Sequence, residues 1–378
     1  MSLSVGVIGG GQLARMMVPA AVALGIDLRV FAASNDESAG RAITSIGDFR
    51  DVADVLAFAR QVDVVTFDHE HVPFEVLTAL VDEGISVQPR PEALLYAQDK
   101  LLMREKLAAL GISMPDWARV ESESELGDFL SEHGDVGVLK TPRGGYDGKG
   151  VRVVRSALDA ADWFASSASE GRDGALLVEE RVEFRRELAQ LVARNAAGEI
   201  SLWPVVETVQ VDGVCSEVIA PAPDSAGRIA DVAADIATRI AENLGVTGVL
   251  AVELFETTDD RLVVNELAMR PHNSGHWSID GATTSQFEQH VRAVLNLPLG
   301  ATGCRDEWSV MVNILGDSSA TPLESGLAGA LAAQPMVKVH NYGKEPRAGR
   351  KMGHVTATGE DLSEVVYRAR AAATFFHG

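Results

Sequence analysis

Two apolar strands, each interrupted by acid, constrain this chain more than any other feature. Val249-Leu-Ala-Val-Glu-Leu-Phe255 carries one carboxylate, Glu253. Val263-Val-Asn-Glu-Leu-Ala268 carries Asn265 and Glu266. Thr257-Thr-Asp-Asp260 between them reads as a hairpin turn. A turn centred near Asp259 and Asp260 sets Glu253 nearly opposite Glu266, and directly opposite strand residues share a face. Two carboxylates and an amide converging there repel without a cation. Hard oxygen ligands of this kind suit Mg²⁺, which takes one or two carboxylates plus substrate phosphates. The bland alternative is a hairpin with two solvated polar residues. The second strand runs on into Met269-Arg-Pro-His-Asn-Ser-Gly-His-Trp277, whose Arg270, His272, Asn273 and His276 are candidates for a ligand-facing loop.

The chain has 378 residues, too many for one typical core. Strand and helix signals alternate through residues 1–95: strands at Leu3–Ile8, Leu28–Phe31, Val62–Phe67 and Ile85–Gln88, and a helix at Gln12–Leu24 closed by Gly25. This argues for a parallel α/β sheet. Further helices are expected over Asp99–Leu110, Leu158–Ser167, Ile229–Asn243 and Ser285–Leu295. Strands are expected at Val136–Thr141, Val151–Val154 and Ala175–Arg181, with β structure from Arg186 to Ile219. Residues 301–378 read as a small β-rich module.

Net charge is −21 and the pI about 4.8, which argues against a nucleic-acid partner. No apolar run is long enough to span a bilayer, so no membrane role is expected. The start of the chain reads as a strand and not a signal peptide, and Cys215 and Cys304 lie in no metal motif. A reduced, cytoplasmic protein is the expectation.

Four segments could carry chemistry. Gly9-Gly-Gly11-Gln-Leu-Ala14 follows a strand and opens a helix, fitting G-x-G-x-x-A. The acid expected after the second strand comes late, at Asp36 and Glu37, which favours a monophosphate or polar ligand at this helix start over NAD; a plain tight strand–helix turn is the alternative. Lys140-Thr-Pro-Arg-Gly-Gly-Tyr-Asp-Gly-Lys-Gly150 holds four glycines and three cations in eleven residues. Such a loop can close over a polyphosphate, with Lys140 on inner phosphates and Tyr146, Asp147 and Lys149 carried over the reacting centre. It is not a Walker A loop. An exposed hairpin turn is the alternative. Lys344, Arg347, Arg350 and Lys351 form a basic cluster in an acidic chain, a candidate phosphate site or a plain surface loop. The strand end Leu177–Val182 could meet an adenine edge, with Glu179 taking the exocyclic amine and Glu187 accepting from ribose hydroxyls, although taken alone the segment favours a solvated strand end.

Four segments together, Gly9–Met16, Gly144–Gly150, Arg270–Trp277 and Arg350–Thr356, resemble the ATP-grasp enzymes of purine synthesis. The specific likeness is to the 5-(carboxyamino)imidazole ribonucleotide synthases, in family order across nearly the whole chain. The resemblance implies an N-terminal pre-ATP-grasp α/β domain (1–95), a two-part ATP-grasp unit (96–300, lid about 115–182) and a small C-terminal β-rich module (301–378). It implies a homodimer that uses ATP, Mg²⁺, bicarbonate and 5-aminoimidazole ribonucleotide. Carried over by position, Lys100, Lys140, Gly145–Val151 (Gly145, Tyr146, Asp147, Gly148, Lys149, Gly150 and Val151), the adenine hinge Glu179, Glu180, Arg181 and Val182, and Glu187, Gln210, Asn265 and Glu266 meet ATP. Glu253 is the natural second metal ligand. Gln12, Leu13, Glu70, Arg270, His272, Asn273, His276, Lys344, Arg350 and Lys351 serve the ribonucleotide and bicarbonate. Arg270 and Lys351 are candidates for holding bicarbonate, and Asp147, with His272 as runner-up, for the base.

Departures from the family pattern are Asp68-His-Glu-His71 for Glu-Phe-Glu-Asn, Met269 where proline is frequent, Lys100 where some relatives have arginine, and Gln210 where a histidine is sometimes found. The competing expectations are another ATP-grasp ligase (a formate-dependent glycinamide ribonucleotide transformylase or a biotin carboxylase), an NAD-dependent oxidoreductase, and a non-catalytic nucleotide sensor.

Overall fold

The computed structural model describes residues 2–144, 150–169, 174–318 and 321–376. Its strands form three sheets. The first is parallel, with Ser4–Ile8 between Asp27–Ala32 and Val64–Phe67, and Ile43–Ile46 at the edge. Its first helix, Gln12–Leu24, ends as the sequence implies: Gly25 turns left-handed at φ 68° and its N–H reaches back to Ala21 and Val22. The expected strand at Ile85–Gln88 reduces to one parallel bridge, Val65 to Val87.

The second sheet is small and antiparallel, built from Trp117–Val120, Leu176–Glu180, Gly137–Lys140 and Val151–Val154. The third is the frame of the molecule. Its nine strands include Phe184–Arg194, the hairpin Gly248–Thr257 and Leu262–Ala268, and, continuing the same sheet, Trp308–Leu315, Lys351–Gly359 and Lys338–Asn341. The C-terminal β module does not form a sheet of its own. Its strands extend the central sheet, and the helices Glu324–Ala333 and Leu362–Ala373 pack on them.

The hairpin is held by alternation. Val252, Leu254 and Val264 point to one face and pack against the helix Arg228–Asn243, which buries Ile229, Ala233, Ile236, Ala237 and Ile240 at helical spacing. Truncating Ile236 or Ile240 to alanine there costs about 2–5 kcal/mol. Residues of opposite parity, Val249, Ala251 and Glu253, face the other way. Val249 and Ala251 pack with Trp277 and Met311, while Glu253 emerges at the margin of that layer.

Candidate active site

The register places Glu253 opposite Glu266, then Leu254 opposite Val264. Asn265 is the extra residue of a β-bulge, so Asn265 and Glu266, though consecutive, both line the same cavity. That cavity, about 2070 Å³, runs from the small sheet, across the hairpin, to the first helix and the C-terminal strands. Glu187, on the strand beside Glu253, adds a third carboxylate. Its carboxyl is raised by burial, an effect opposed by a hydrogen bond to Gln210. Burial, then the charges of Glu266 and Glu187, push the Glu253 carboxyl up to about 8. Like charges this close cannot all ionise without a cation.

Cations answer these acids from three elements. Asp99 caps the helix Lys100–Ala109, accepting from Leu101 and Leu102 N–H groups at 3.0 and 3.1 Å. The cap sets Lys100 at the first helical position, where its Nζ lies 3.0 Å from Glu266 Oε1. Lys140, at the end of its strand, lies 2.7 Å from Glu179 Oε2 and donates to Asn265 Oδ1 at 3.2 Å. On the far side, Arg270 Nε meets Glu70 Oε2 at 3.0 Å, while Met269 N–H donates to Glu70 Oε1 at 2.8 Å. A proline at 269 would have no N–H to give.

The root of the glycine-rich loop is tied to the Lys100 helix. Lys100 N–H donates to the Pro142 carbonyl at 2.9 Å and Arg143 Nε to Asp99 Oδ2 at 2.8 Å. Gly144 and Val151 line the cavity, and the Gly150 carbonyl accepts from Thr141 N–H at 3.0 Å. Gly145, Tyr146, Asp147, Gly148 and Lys149 lie outside the described residues.

Of the remaining expected residues, Glu180, Arg181, Val182, Gln12, Leu13, Asn273, Lys344, Arg350 and Lys351 all border the cavity. Lys344 donates to Gln12 Oε1, which joins the C-terminal segment to the first helix. Arg350 Nη1 donates to the Glu345 carbonyl at 3.1 Å.

Three expectations need correction. His276 does not reach the cavity. The short helical turn Asn273–Gly275 rotates it into the interior, where its ring is fully buried, takes a hydrogen bond from Gln286 at Nδ1 and packs near Phe287 and His354. The Glu179 carboxylate does not wait for an adenine amine. It is 2% exposed, with Arg104 Nε 2.7 Å from Oε1 and Lys140 on Oε2. Arg104, itself fully buried, also donates to the Val264 and Asn265 carbonyls at 2.8 and 2.7 Å. Glu179 thus holds Lys140 in place. At the first helix, donors expected to meet a phosphate are taken by the chain's own acids. Ala14 N–H donates to Asp68 Oδ1 at 2.7 Å, and Gly10 N–H to Glu37 Oε2 at 3.1 Å. A Cβ on Gly11 would lie 1.9 Å from Asp68 Oδ2, so only glycine admits this carboxylate. The pyrophosphate seat of an NAD site is filled.

Sequence reasoning missed Arg104, Asp68 and Asp99. Arg104 sits unremarked in a charged helix, and only its complete burial marks it. Asp99 was legible as a helix cap, but its second oxygen on Arg143 was not.

Comparison with known proteins agrees with this geometry. Residues 2–98 match the ribonucleotide synthetase preATP-grasp domain, 105–287 the ATP-grasp domain, and 309–368 the phosphoribosylaminoimidazole carboxylase C-terminal domain. The N5-carboxyaminoimidazole ribonucleotide synthase of Mycobacterium tuberculosis (strain ATCC 25618 / H37Rv) is 50% identical over 99% of this chain and 88% of its own length. The N5-carboxyaminoimidazole ribonucleotide synthetase structure from Thermus thermophilus superposes with a TM-score of 0.87 at 35% identity, covering 99% of this chain and 98% of that one. The Aspergillus clavatus synthase, in complex with ADP and 5-aminoimidazole ribonucleotide, gives 0.87 at 33% identity with the same coverage. A filled dinucleotide turn, an acid pair facing lysines across an ATP-sized cleft, and these likenesses from end to end agree: the chain belongs to the N5-carboxyaminoimidazole ribonucleotide synthase family, ATP-dependent ligases of the ATP-grasp fold.

Proposed function

We propose that this protein carboxylates 5-aminoimidazole ribonucleotide with bicarbonate at the expense of ATP, giving N5-carboxyaminoimidazole ribonucleotide, ADP and phosphate in purine biosynthesis. The observation that carries it is the bulged hairpin, which turns Glu253, Asn265 and Glu266 into one cavity between two sets of cations. ATP lies towards Lys100 and Lys140, the ribonucleotide towards Gln12, Glu70 and Lys344.

The residues fit Mg²⁺. Two opposed carboxylates, one buried enough to hold its proton to about 8, form a hard-oxygen site short of positive charge. Among the described residues, no group of three His, Cys, Asp or Glu side chains could hold a metal. Glu253 and Glu266 would hold the ion, which would supply positive charge to offset that developing on the transferred phosphoryl group.

Lys140, held by Glu179 and Asn265, donates to phosphate oxygens without having to reorganise. Bicarbonate, oriented by Arg270 and Lys351, attacks the γ-phosphorus and gives carboxyphosphate and ADP. The amine of the ribonucleotide then attacks the carboxyl carbon, phosphate leaves, and Asp147 takes the amine proton. His272 is poorly suited to that last task, because both ring nitrogens are already engaged, Nδ1 with Ser274 Oγ at 2.9 Å and Nε2 with Glu253 Oε1 at 3.2 Å. Water has to be kept from this site, because carboxyphosphate hydrolyses readily. The enzyme works as a cytoplasmic homodimer, as the family likeness implies. Among the described residues, no helix is long and apolar enough to cross a membrane.

The deciding experiment is a coupled ADP-release assay. Turnover should require both bicarbonate and 5-aminoimidazole ribonucleotide. Release driven instead by glycinamide ribonucleotide with formate, or by biotin with bicarbonate, would reassign the chain to another ATP-grasp ligase.

A further inference from the structure

Beneath the Arg270–Trp277 loop lies a carboxamide that the proposed reaction does not use. Gln286 opens the helix Gln286–Val294 and has no exposed surface. Its Oε1 accepts the backbone N–H of His272 at 2.8 Å, and its Nε2 donates to the carbonyl of the same residue at 2.8 Å. One side chain thus satisfies both backbone groups of one loop residue, as a neighbouring strand would. Nε2 also meets His276 Nδ1 at 2.8 Å, and Gln286 N–H donates to Ser278 Oγ at 2.9 Å. The loop is shaped around this amide: a Cβ on Gly275 would lie 2.4 Å from Oε1.

What Gln286 fixes is the root of an imidazole that touches an acid. His272 Nδ1 lies 2.9 Å from Ser274 Oγ and faces Ser274 N–H at 3.4 Å. These contacts make Nδ1 the acceptor, so the ring proton sits on Nε2, 3.2 Å from Glu253 Oε1. A second amide pins the next residue: Asn273 and Asn313 exchange hydrogen bonds at 3.1 and 2.8 Å. Between these anchors His272 cannot swing away from Glu253.

We propose that Gln286 is a positioning residue for the divalent-cation site. By holding both backbone groups of His272 it aims the imidazole at one oxygen of Glu253, fixing the plane of that carboxylate and leaving its other oxygen to the cation. This rests on the metal role proposed for Glu253 and Glu266. Groups that orient metal ligands without touching the metal typically account for about 10–100-fold in metal affinity.

The test uses Mn²⁺ as the probe, its free concentration read by electron paramagnetic resonance in the presence of a non-hydrolysable ATP analogue. Wild type and Glu266→Gln come first: equal Mn²⁺ binding by the two would defeat the metal reading itself. If Glu266→Gln loses Mn²⁺, the Gln286 variants are informative. Gln286→Met should weaken Mn²⁺ about tenfold, with metal-free nucleotide affinity unchanged. Gln286→Asn keeps a buried amide but sets it a methylene short of His272, and serves in its place if the methionine variant does not fold; the same loss is expected. In a His272→Ala background either change should add nothing, because the imidazole it acts through is gone. Unaltered Mn²⁺ affinity in the folded variant, or an equal loss with and without His272, would overturn the proposal.

Discussion

Arg104 and Glu179 form an ion pair sealed from solvent, with Arg104 Nε 2.7 Å from Glu179 Oε1 and both side chains at 3% exposure or less. The pair joins the Lys100 helix to the small sheet. Its remaining valences are spent on the two carbonyls at the bulge and on Lys140. Removing one partner leaves a buried charge poorly compensated, at a cost of about 3–5 kcal/mol. Arg104→Met should therefore lower the urea midpoint strongly and raise the KM for ATP as Lys140 loses its fixed partner. A variant as stable as wild type would show that the pair contributes little.

Glu266→Gln removes one charge from the carboxylate pair. ATP turnover dependent on bicarbonate and ribonucleotide should fall by about 10²–10³, equivalent to several kcal/mol of phosphoryl-transfer stabilisation. Full retention of activity would refute the metal assignment.

Glu70→Gln keeps an acceptor for Met269 N–H but loses the charge that holds Arg270. Hydrogen bonds between charged groups are worth about 1.5–3 kcal/mol. The KM for the ribonucleotide should rise about ten- to hundredfold on that scale, with the KM for ATP nearly unchanged. An effect confined to ATP would move Glu70 out of the ribonucleotide site.

Asp68 gives a pH signature. Burial raises its carboxyl to about 6 against the hydrogen bond from Ala14, whereas an unfolded aspartate titrates near ~3.9. Between these values the folded chain binds the extra proton, so this residue's contribution to stability is favourable at acid pH and lost as pH rises from about 4 to about 6. Urea unfolding of wild type and Asp68→Asn across this range should show the variant gaining relative stability as pH rises. Parallel curves would remove Asp68 as the source.

The hairpin was readable because its signals are local: alternation, a turn, and two acids equidistant from it. Its bulge was not, since nothing in Val-Val-Asn-Glu marks which residue is extra. The loop after it was read as uniformly ligand-facing, and this failed at His276, because a single short helical turn reverses the direction of a side chain. Glu179 was misjudged for a different reason. Its partner Arg104 lies 75 positions earlier, beyond the reach of periodicity. The C-terminal module was legible as β-rich, but its joining the central sheet was not, because sheet continuity depends on which edge is open and not on composition. At the first helix the glycine motif was recognised, but the carboxylate that fills it comes from the end of another strand.

The central sheet has a consequence for how the protein is made. Lys351 reaches the cavity from a strand that joins the sheet beside Trp308–Leu315. A nascent chain can pair the hairpin acids and seat Lys100 and Lys140 long before this strand leaves the ribosome. A chain truncated before residue 338 would keep Lys100, Lys140 and Arg270 but lack Lys344, Arg350 and Lys351, which line the same cavity. That wall of the cavity closes only once Lys351–Gly359 has paired with Trp308–Leu315.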